Sequence, residues 1–484
     1  MTLRGMTGDQ WDLHGKEYRR PLGNSEIAYY YPSLQNGLND MFLHIAFRAN
    51  KMIMDPERVV RAWAVIRSRH PLLMSKVIDN DSSPHFSFTP NADVNTALAE
   101  SRGALYFKTE GKDELIFNYM NGPRTLSSIQ LSYLVVSSLE EQATGTSTQG
   151  EYDLLMCAPH FLGDGASLHQ CTHELLSVLS SPNSISELEQ ELLGTRNWAE
   201  ILPIAVDDRL PPPGNRLKKA ASNVNLIKTL EREIGGHTLP RKQRGSSRTV
   251  LKEAVFTEAQ TSIILAKCKS HNVTVNHAVF VLCNIAWGRC NTKHQRIEHP
   301  LMMYTAINLR PFLLPHPTST YWFLALTYYN VVLPAFLPTK PSAFWLRAQS
   351  VKSQTRKVVQ SSFLPYRAME MAKIRSSRAQ GKPMSYPRFL EERSSLEPPP
   401  SACLLGLSLI GNLDVTYTRS AYPSIELHNV TTASRQKAGG ILLLEHSFAR
   451  KLWLHLFWDE MGFEEGQIEA FWQNLQDAVV EFLT

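Results

Sequence analysis

Residues 152–180 read YDLLMCAPHFLGDGASLHQCTHELLSVLS. Three patterns follow one another in this stretch. Residues 152–161 are apolar at both alternating sets of positions, which predicts a strand buried on both faces. Leu168, Cys171, Leu175, Val178 and Leu179 then recur at helical spacing, which predicts a helix over 166–180. Between the two, His160 stands at the end of the strand and glycines flank Asp164. Glycine permits backbone conformations that other residues avoid, so the turn is expected to be unusually sharp. The pattern fixes an imidazole on a rigid element where it can face a cleft. A neutral imidazole is the natural general base for a hydroxyl, amine or thiol. Asp164 either orients that ring or points away and holds the turn through a buried ion pair. The plain alternative is a core histidine beside an ordinary turn aspartate, because H-x-x-x-D-G alone recurs by chance.

Outward from this stretch the chain reads as two comparable halves. Residues 56–68 (PERVVRAWAVIRS) predict a helix stopped at His70-Pro71. Residues 206–252 carry eleven Lys/Arg against four Asp/Glu, three prolines at 211–213 and glycines at 235–236. This composition predicts a linker or exposed excursion between a lobe at 1–205 and a lobe at 253–484. The second half restarts with a Thr257/Gln260 capping-box pattern. Val275, Ala278, Val279, Leu282 and Ala286 form a helical stripe. Strands are expected at 301–309, 321–334, 403–411, 441–447 and 451–458, with a long helix near 341–360. Residues 375–402 read as a long loop. Ile468, Phe471, Trp472, Leu475, Val479 and Phe482 define a C-terminal helix. Interspersed strands and helices in both halves give an α/β class.

Composition narrows the function. With 484 residues, 43% hydrophobic and 20% charged, the chain is an ordinary globular protein rather than a disordered one. No unbroken run of about 20 apolar residues is present, so no membrane span is expected. The first residues lack an apolar signal-peptide core, and a cytoplasmic location is expected. A net charge of +5 is too mild for a nucleic-acid coat but suffices for a local anion site. Helix-turn-helix, zinc-finger and RNP signatures are absent, so nucleic acid is not an expected partner. Six scattered cysteines without a C-x-x-C pair read as reduced, partly buried thiols.

Other chemistries fit less well. His169 and His173 share a helix face and, with His160 or Asp164, suggest a metal cluster. The H-E-x-x-H form is missing and no further ligand has an evident spacing, so packing or surface histidines and no metal are expected. Residues 406–411 (GLSLIG) are one residue too long for the G-x-S-x-G elbow. Neither G-x-G-x-x-G after a strand nor G-x-x-x-x-G-K-[ST] occurs.

The segment HFLGDGAS resembles the H-x-x-x-D-G signature of CoA-dependent acyltransferases, which include chloramphenicol acetyltransferase, the plant BAHD enzymes and condensation domains. Three further segments agree in order: residues 274–278 (TVNHA), 307–311 (INLRP) and 408–412 (SLIGN). Within that superfamily the chain most resembles the fungal trichothecene 15-O-acetyltransferase type, through Trp11, YRRPLGNSE at residues 18–26 and HPLL at 70–73. The plant-type DFGWG is missing, which puts a plant-type donor pocket in doubt.

The resemblance implies two α+β sandwich lobes of the chloramphenicol-acetyltransferase type with a tunnel between them. It implies that His160 is the general base, and that Asp164, with Gly165 and Arg310, is structural. It implies acetyl-CoA as co-substrate, no permanently bound cofactor and a small hydroxylated natural product as acceptor, trichothecene-like. A bidentate pair between Asp164 and Arg310 is consistent with this. Ser408 and Asn412 are oxyanion or channel candidates, and equally read as polar residues of an ordinary strand and turn. Basic residues Arg241, Arg244, Arg248 and Lys252, and the stretch 341–382 with nine Lys/Arg against one acid, suit CoA phosphates; each residue singly also reads as solvated surface. Two packed lobes need no partner, so a monomer is expected. Two alternatives stay open: a condensation-like enzyme using a carrier-bound acyl group, and a non-catalytic descendant that binds a ligand.

Overall fold

The helix signals near the start of the chain are satisfied locally. Asp55 caps the helix Pro56–Arg69, accepting from the backbone of Glu57 at 3.0 Å, and Pro56 occupies the first turn, where its missing N–H costs nothing. The structure, a computed structural model, describes residues 11–79, 83–138, 148–194, 196–212, 214–242, 247–290, 299–314, 320–337, 340–382 and 402–484.

The first part of the chain supplies β1 (Asp12–His14), β2 (Glu17–Pro21), α1 (Asn24–Ser33), β3 (Asp40–Asn50), α2 (Pro56–Arg69), β4 (Lys76–Ile78), β5 (His85–Phe88), α3 (Val94–Gly103), β6 (Leu105–Lys108) and α4 (Lys112–Asn121). Then come β7 (Tyr133–Ser137), β8 (Gln149–Pro159), α5 (Gly165–Ser180), α6 (Ile185–Leu193), α7 (Trp198–Ile201), α8 (Val206–Arg209) and α9 (Arg216–Arg232). The remainder supplies β9 (Thr249–Phe256), α10 (Glu258–Ser270), α11 (Val275–Cys290), β10 (Leu301–Asn308), β11 (Leu326–Leu333), α12 (Pro341–Val359), α13 (Leu364–Ala379), β12 (Cys403–Asn412), β13 (Ile425–Ser434), β14 (Ile441–Phe448), β15 (Lys451–Asp459) and α14 (Gln467–Leu483).

Two large sheets dominate. One has the order β13-β3-β8-β7-β6, the other β11-β10-β12-β14-β15-β9, and a small sheet runs β1-β2-β5-β4. Strand β8 lies inside the five-stranded sheet, antiparallel to both β3 and β7. Its alternating residues serve two cores. Leu154, Met156 and Ala158 pack with Trp63 of α2 and Leu168 and Leu175 of α5. Leu155 and Cys157 pack with Leu444 of β14 and Phe457 of β15, on the other large sheet. This two-sided burial is why the strand reads apolar without alternation. The outer face of the six-stranded sheet is covered by α10, α11 and α14, where Ile264, Val279, Phe471 and Leu475 meet Leu443, Leu454 and Leu456.

Several expectations are corrected in detail. The basic stretch 206–252 holds the 17-residue helix α9, capped by Asn215, and its last residues, Thr249 to Lys252, open β9. Strand 321–334 begins only at Leu326, because Trp322 to Ala325 form a buried, non-strand segment. The helix α13 runs to Ala379, into the stretch read as a loop, and residues 383–401 of that stretch lie outside the described residues. Strand β13 was not expected at all. It pairs antiparallel with β3 from Ile425–Ala49 to Ser434–Met41. A strand from the second half thus completes the first sheet, and no single point in the chain divides the two sheets. Among the described residues no helix is long and apolar enough to cross a membrane.

The YRRPLGNSE stretch fixes the start of α1. Arg20 donates to both carboxylate oxygens of Glu26, at 2.8 and 2.9 Å, and both side chains are buried. The guanidinium lies over the rings of Trp11 and Phe86, at 5.4 and 5.1 Å. Glu26 also accepts from the backbone of Gly23 at 2.7 Å. Glu26→Ala should therefore cost about 3–5 kcal/mol by leaving a buried guanidinium unpaired. The double substitution Arg20→Met with Glu26→Leu should cost less than the single one; urea unfolding midpoints of the three variants test this.

Candidate active site

His160 follows directly on β8, whose last residue, Pro159, is opposite Asp40 of β3. The sheet's register therefore sets the position of the imidazole. Its Nδ1 lies 3.0 Å from the carbonyl oxygen of Gly163. A carbonyl only accepts, so Nδ1 carries the proton and the lone pair is on Nε2. Tyr29 of α1 stacks on the ring at a centroid distance of 4.4 Å and 19°. Burial pushes the imidazole below its ordinary value of 6.5, and the charge of Arg375 adds to this; Asp164 and the Gly163 carbonyl oppose it. The ring is neutral at pH 7, the state a base requires.

The glycines of the turn act differently from the expectation. Neither Gly163 nor Gly165 has positive φ. A Cβ on Gly163 would sit 3.2 Å from Cβ of Ser167 and 3.5 Å from the ring of Trp322, so a side chain here would crowd Ser167. A Cβ on Gly165 would meet nothing within 4 Å, which leaves open space at the first residue of α5.

Asp164 points away from His160 and caps α5. Its Oδ1 accepts from the backbone and hydroxyl of Ser167, at 3.1 and 3.3 Å. Its Oδ2 accepts from Nη1 of Arg310 and from the backbone of Ala325, both at 2.9 Å. Arg310 reaches Asp164 through one nitrogen, not two. Its Nη2 donates to the Ser167 hydroxyl at 2.9 Å and to the carbonyls of Tyr321 and Phe323 at 3.1 and 2.8 Å. Burial alone would raise the Asp164 carboxyl; the Arg310 charge and the donated hydrogen bonds outweigh it and hold it below 3.8. Of the two roles open to Asp164, holding the turn through a buried pair is the one its contacts describe.

The other sequence candidates are dispersed. Ser408 lies on β12 on the same face as Gly406, whose absent side chain makes room for the ring of Tyr304. The Asn412 side-chain oxygen accepts from the backbone of Asp414 at 3.0 Å and from Ser447 at 3.4 Å, so it caps a turn. Strands β10, β12 and β14 are parallel, and Arg310 follows the C-terminal end of β10. Arg248 precedes β9, which starts opposite Asp459, the last residue of β15. Arg248 is therefore at the other end of the six-stranded sheet from Arg310. It pairs there with Glu460 at 3.3 Å. Arg241 is at that end too, donating to the Gly439 carbonyl at 2.8 Å and lying over Phe463. Lys252 is paired in register with Leu456 on β9. Arg244 lies outside the described residues.

His169 bonds the Tyr417 hydroxyl at 2.9 Å and Thr432 at 3.3 Å, and burial pushes it down to about 3. His173 packs edge-on to Tyr422. Among the described residues no group of three His, Cys, Asp or Glu side chains is arranged to hold a metal ion. The six cysteines are unpaired, and burial raises the thiols of all six.

The residues that surround His160 were not singled out from the sequence. The Tyr29 hydroxyl meets that of Tyr328 from β11, and Tyr304 from β10 lies edge-on to Tyr328 at 5.7 Å. Arg375 of α13 lies over both Tyr29 and Tyr328, at 4.8 and 4.7 Å. The sequence signals were the aromatic run Tyr29-Tyr30-Tyr31, which local pattern cannot tell from ordinary core, and the basic stretch 341–382, which contains Arg375 without marking it out.

Removing either side chain of the Asp164–Arg310 pair should destabilise the protein by about 3–5 kcal/mol, because the partner is left charged and buried. The double substitution to alanine should fall short of the sum by roughly 0.5–3 kcal/mol, as a double-mutant cycle of unfolding free energies would read. Because the folded carboxyl is depressed, this stabilisation is complete above 3.8 and is lost as pH falls through the lowered value.

No family model matches this chain, and no curated protein matches it. Solved structures do. The TRI3 trichothecene 15-O-acetyltransferase of Fusarium sporotrichioides superposes with a TM-score of 0.79 at 12% identity, covering 100% of both chains. The condensation domain of the monacolin K polyketide synthase MokA gives 0.60 at 11% identity, over 96% of this chain and 97% of that one. The epimerization domain from the third module of tyrocidine synthetase B gives 0.59 at 12% identity, over 98% and 97%. At these identities the likeness is one of fold, and the chain has the mixed α/β, two-lobed fold of the chloramphenicol-acetyltransferase type over its whole length.

Proposed function

We propose that this chain is an acyl-CoA-dependent O-acyltransferase that moves an acetyl group from acetyl-CoA to a hydroxyl of a small secondary metabolite, terpenoid and trichothecene-like. The observation that carries the reading is the His160 geometry: a half-buried, neutral imidazole at a strand end, with Nδ1–H held by Gly163 and Nε2 left as the base. The fold shared with an acetyltransferase supports the same reading.

The steps follow from that geometry. The acceptor hydroxyl gives its proton to Nε2 of His160 as its oxygen attacks the thioester carbonyl carbon. A tetrahedral oxyanion forms and needs hydrogen-bond donors aimed at it. Ser408 and Asn412 are the candidate donors; the Asn412 side-chain oxygen accepts within a turn, so only its Nδ2–H2 group could donate. The intermediate then collapses, the carbon–sulfur bond breaks, and the imidazolium protonates the departing thiolate. No acyl-enzyme forms. The Gly163 carbonyl stabilises the transient imidazolium through Nδ1–H, and Tyr29 holds the ring plane. Asp164 and Arg310 keep the turn in place, ahead of Gly165 at the start of α5. CoA phosphates are assigned to the basic group Arg241, Arg244, Arg248 and Lys252. The internal contacts of Arg241 and the Glu460 pairing of Arg248 make these two the weaker members.

The likeness to condensation and epimerization domains favours a second reading, in which the acyl group arrives on a carrier protein. Free acetyl-CoA would then support no turnover.

Thiol release from acetyl-CoA, with and without a pool of hydroxylated terpenoids, tests the proposal. Acceptor-dependent release is expected in the wild type, and His160→Ala should lower it about 10²–10⁴-fold. Near-normal turnover in that variant would overturn the mechanism. Because His160 titrates below 6.5, kcat/KM should be flat through neutrality and fall only on the acid side of that value. A pH profile falling already above 6.5 would contradict the assignment.

A further inference from the structure

Three histidines that the proposed chemistry does not use are buried together between the two large sheets. Phe42 of β3, Leu444 of β14 and Phe457 of β15 belong to the apolar cluster between those sheets. Residues two apart on a strand share a face. His44, His446 and His455 therefore point into the same interface, and all three are buried. Asp153 of β8 and Glu253 of β9 point there too, on the faces of Leu155 and Leu251.

Each sheet supplies one pair of histidine and carboxylate. Nε2 of His44 lies 2.6 Å from Asp153. Nε2 of His455 lies 2.6 Å from Glu253, its partner in register on β9. Lys112 of α4 donates to the same Glu253 oxygen at 2.8 Å. Lys112 and Glu253 are partly exposed, so the layer meets solvent at this edge. His446 is placed differently. Its ring is nearly parallel to those of His455, at 5.3 Å, and Trp453, at 6.3 Å, and neither of its nitrogens has a hydrogen-bond partner among the described residues.

The charges facing these rings come from both sides of the interface. Around His446, His455, His169 of α5 and Lys112 disfavour a proton, and Glu253 favours one. Around His44 and His455, Asp153 and Glu253 favour a proton and Lys112 opposes it. Glu445 is next to His446 in the chain but lies on the opposite face, with Leu443 under the outer helices.

Such a layer packs best with neutral imidazoles. Burial holds all three below their ordinary 6.5, and His446 well below it. A form with the sheets parted exposes the rings to water, so it takes up protons first as pH falls. The contact is therefore at full strength above 6.5 and weakens as pH drops below it toward the lowered values. Asp153 and Glu253 soften the effect for His44 and His455. His446 has no carboxylate of its own and stands beside His455, where two positive rings repel each other.

We propose that His44, His446 and His455 form an acid-sensitive layer in the contact between the two large sheets: neutral, they hold it closed, and uptake of a proton by His446 opens it. His160 follows β8 of one sheet, while Tyr304 and Tyr328 stand on β10 and β11 of the other, so opening also spreads the candidate site. The inference does not use the acyl-transfer reading of His160, and its test reads no turnover, so each can fail without the other.

The protein carries its own reporter. Cys157 is buried in the cluster between the sheets, whereas Cys171 and Cys283 are buried in the two clusters on the helix-covered sides. Labelling of the full chain with dithiodipyridine is followed thiol by thiol by mass spectrometry. Each rate is divided by that of the urea-unfolded chain at the same pH, which removes the effect of thiolate fraction. In the wild type the relative rate of Cys157 should rise about tenfold per pH unit below 6.5, as uptake of one proton requires, while Cys171 and Cys283 stay protected. His446→Phe keeps a ring but takes no proton, and should make the Cys157 rate independent of pH. Glu445→Gln should leave its slope unchanged. If His446→Phe does not protect Cys171 and Cys283 at neutral pH, it has not folded, and His446→Gln carries the same prediction. A Cys157 rate that is flat in the wild type, an equal slope in the folded His446 variant, or a parallel rise of all three thiols would each overturn the proposal.

Discussion

The carboxylate of Asp164 holds together three parts of the chain that are far apart in sequence. It caps α5, it takes a proton donor from Arg310 beyond β10, and it accepts the backbone of Ala325 ahead of β11. Arg310 in turn gathers the carbonyls of Tyr321 and Phe323. The buried segment from Thr320 to Ala325 is thereby tied to the N-terminus of α5. His70 secures the same region from its other side, with one ring nitrogen 2.8 Å from Thr320 and the other 2.9 Å from Glu174 of α5. Both large sheets meet at this junction, one through β8 and α5, the other through β10 and β11. The desolvation of this buried charge is offset by its many donors, and the same donors make it costly to remove.

That constraint explains how the His160 environment is built. The imidazole hangs from the end of β8, whose position follows from full-length pairing with β3. The Asp164 cap fixes where α5 starts, and so fixes the short turn whose Gly163 carbonyl holds Nδ1. The second wall comes from other elements: Tyr29 from α1, Tyr328 from β11, Tyr304 from β10 and Arg375 from α13. The aspartate beside the histidine in sequence therefore acts on the fold, and Tyr29, distant in sequence, acts on the ring. The buried pair Arg20–Glu26 extends the same logic to α1, because it fixes the start of the helix that carries Tyr29.

Packing between the sheets has a further consequence. Leu155 and Cys157 of β8 face Leu444 and Phe457 across the interface, and β13 crosses from the second half of the chain to pair with β3. Movement of one sheet against the other is opposed by apolar burial and by the chain itself, since β13 of one sheet lies in sequence between β12 and β14 of the other. The site is therefore set on rigid elements, as a base that must meet a reacting atom within hydrogen-bond reach requires.

Elements with strong local periodicity were legible in the sequence. The apolar run of β8, the helical stripe of α5, the Asp55 cap of α2 and the Thr257/Gln260 capping box each depend on neighbours a few residues away. His160 at a strand end was legible for the same reason. Tertiary structure decided what depends on contacts across the chain. Strand β13 reads as polar along part of its length, and only pairing with β3 makes it a strand. The turn glycines were expected to supply special backbone angles; neither has positive φ, and at Gly163 it is the close approach of Ser167 that favours a small residue. Tyr29, Tyr328 and Arg375 carried no signal of their placement, because an aromatic or basic residue looks the same whether it faces solvent, core or a histidine from another element. Sequence periodicity encodes which face of an element is buried, whereas the partner that buries it is selected only when the whole chain has packed.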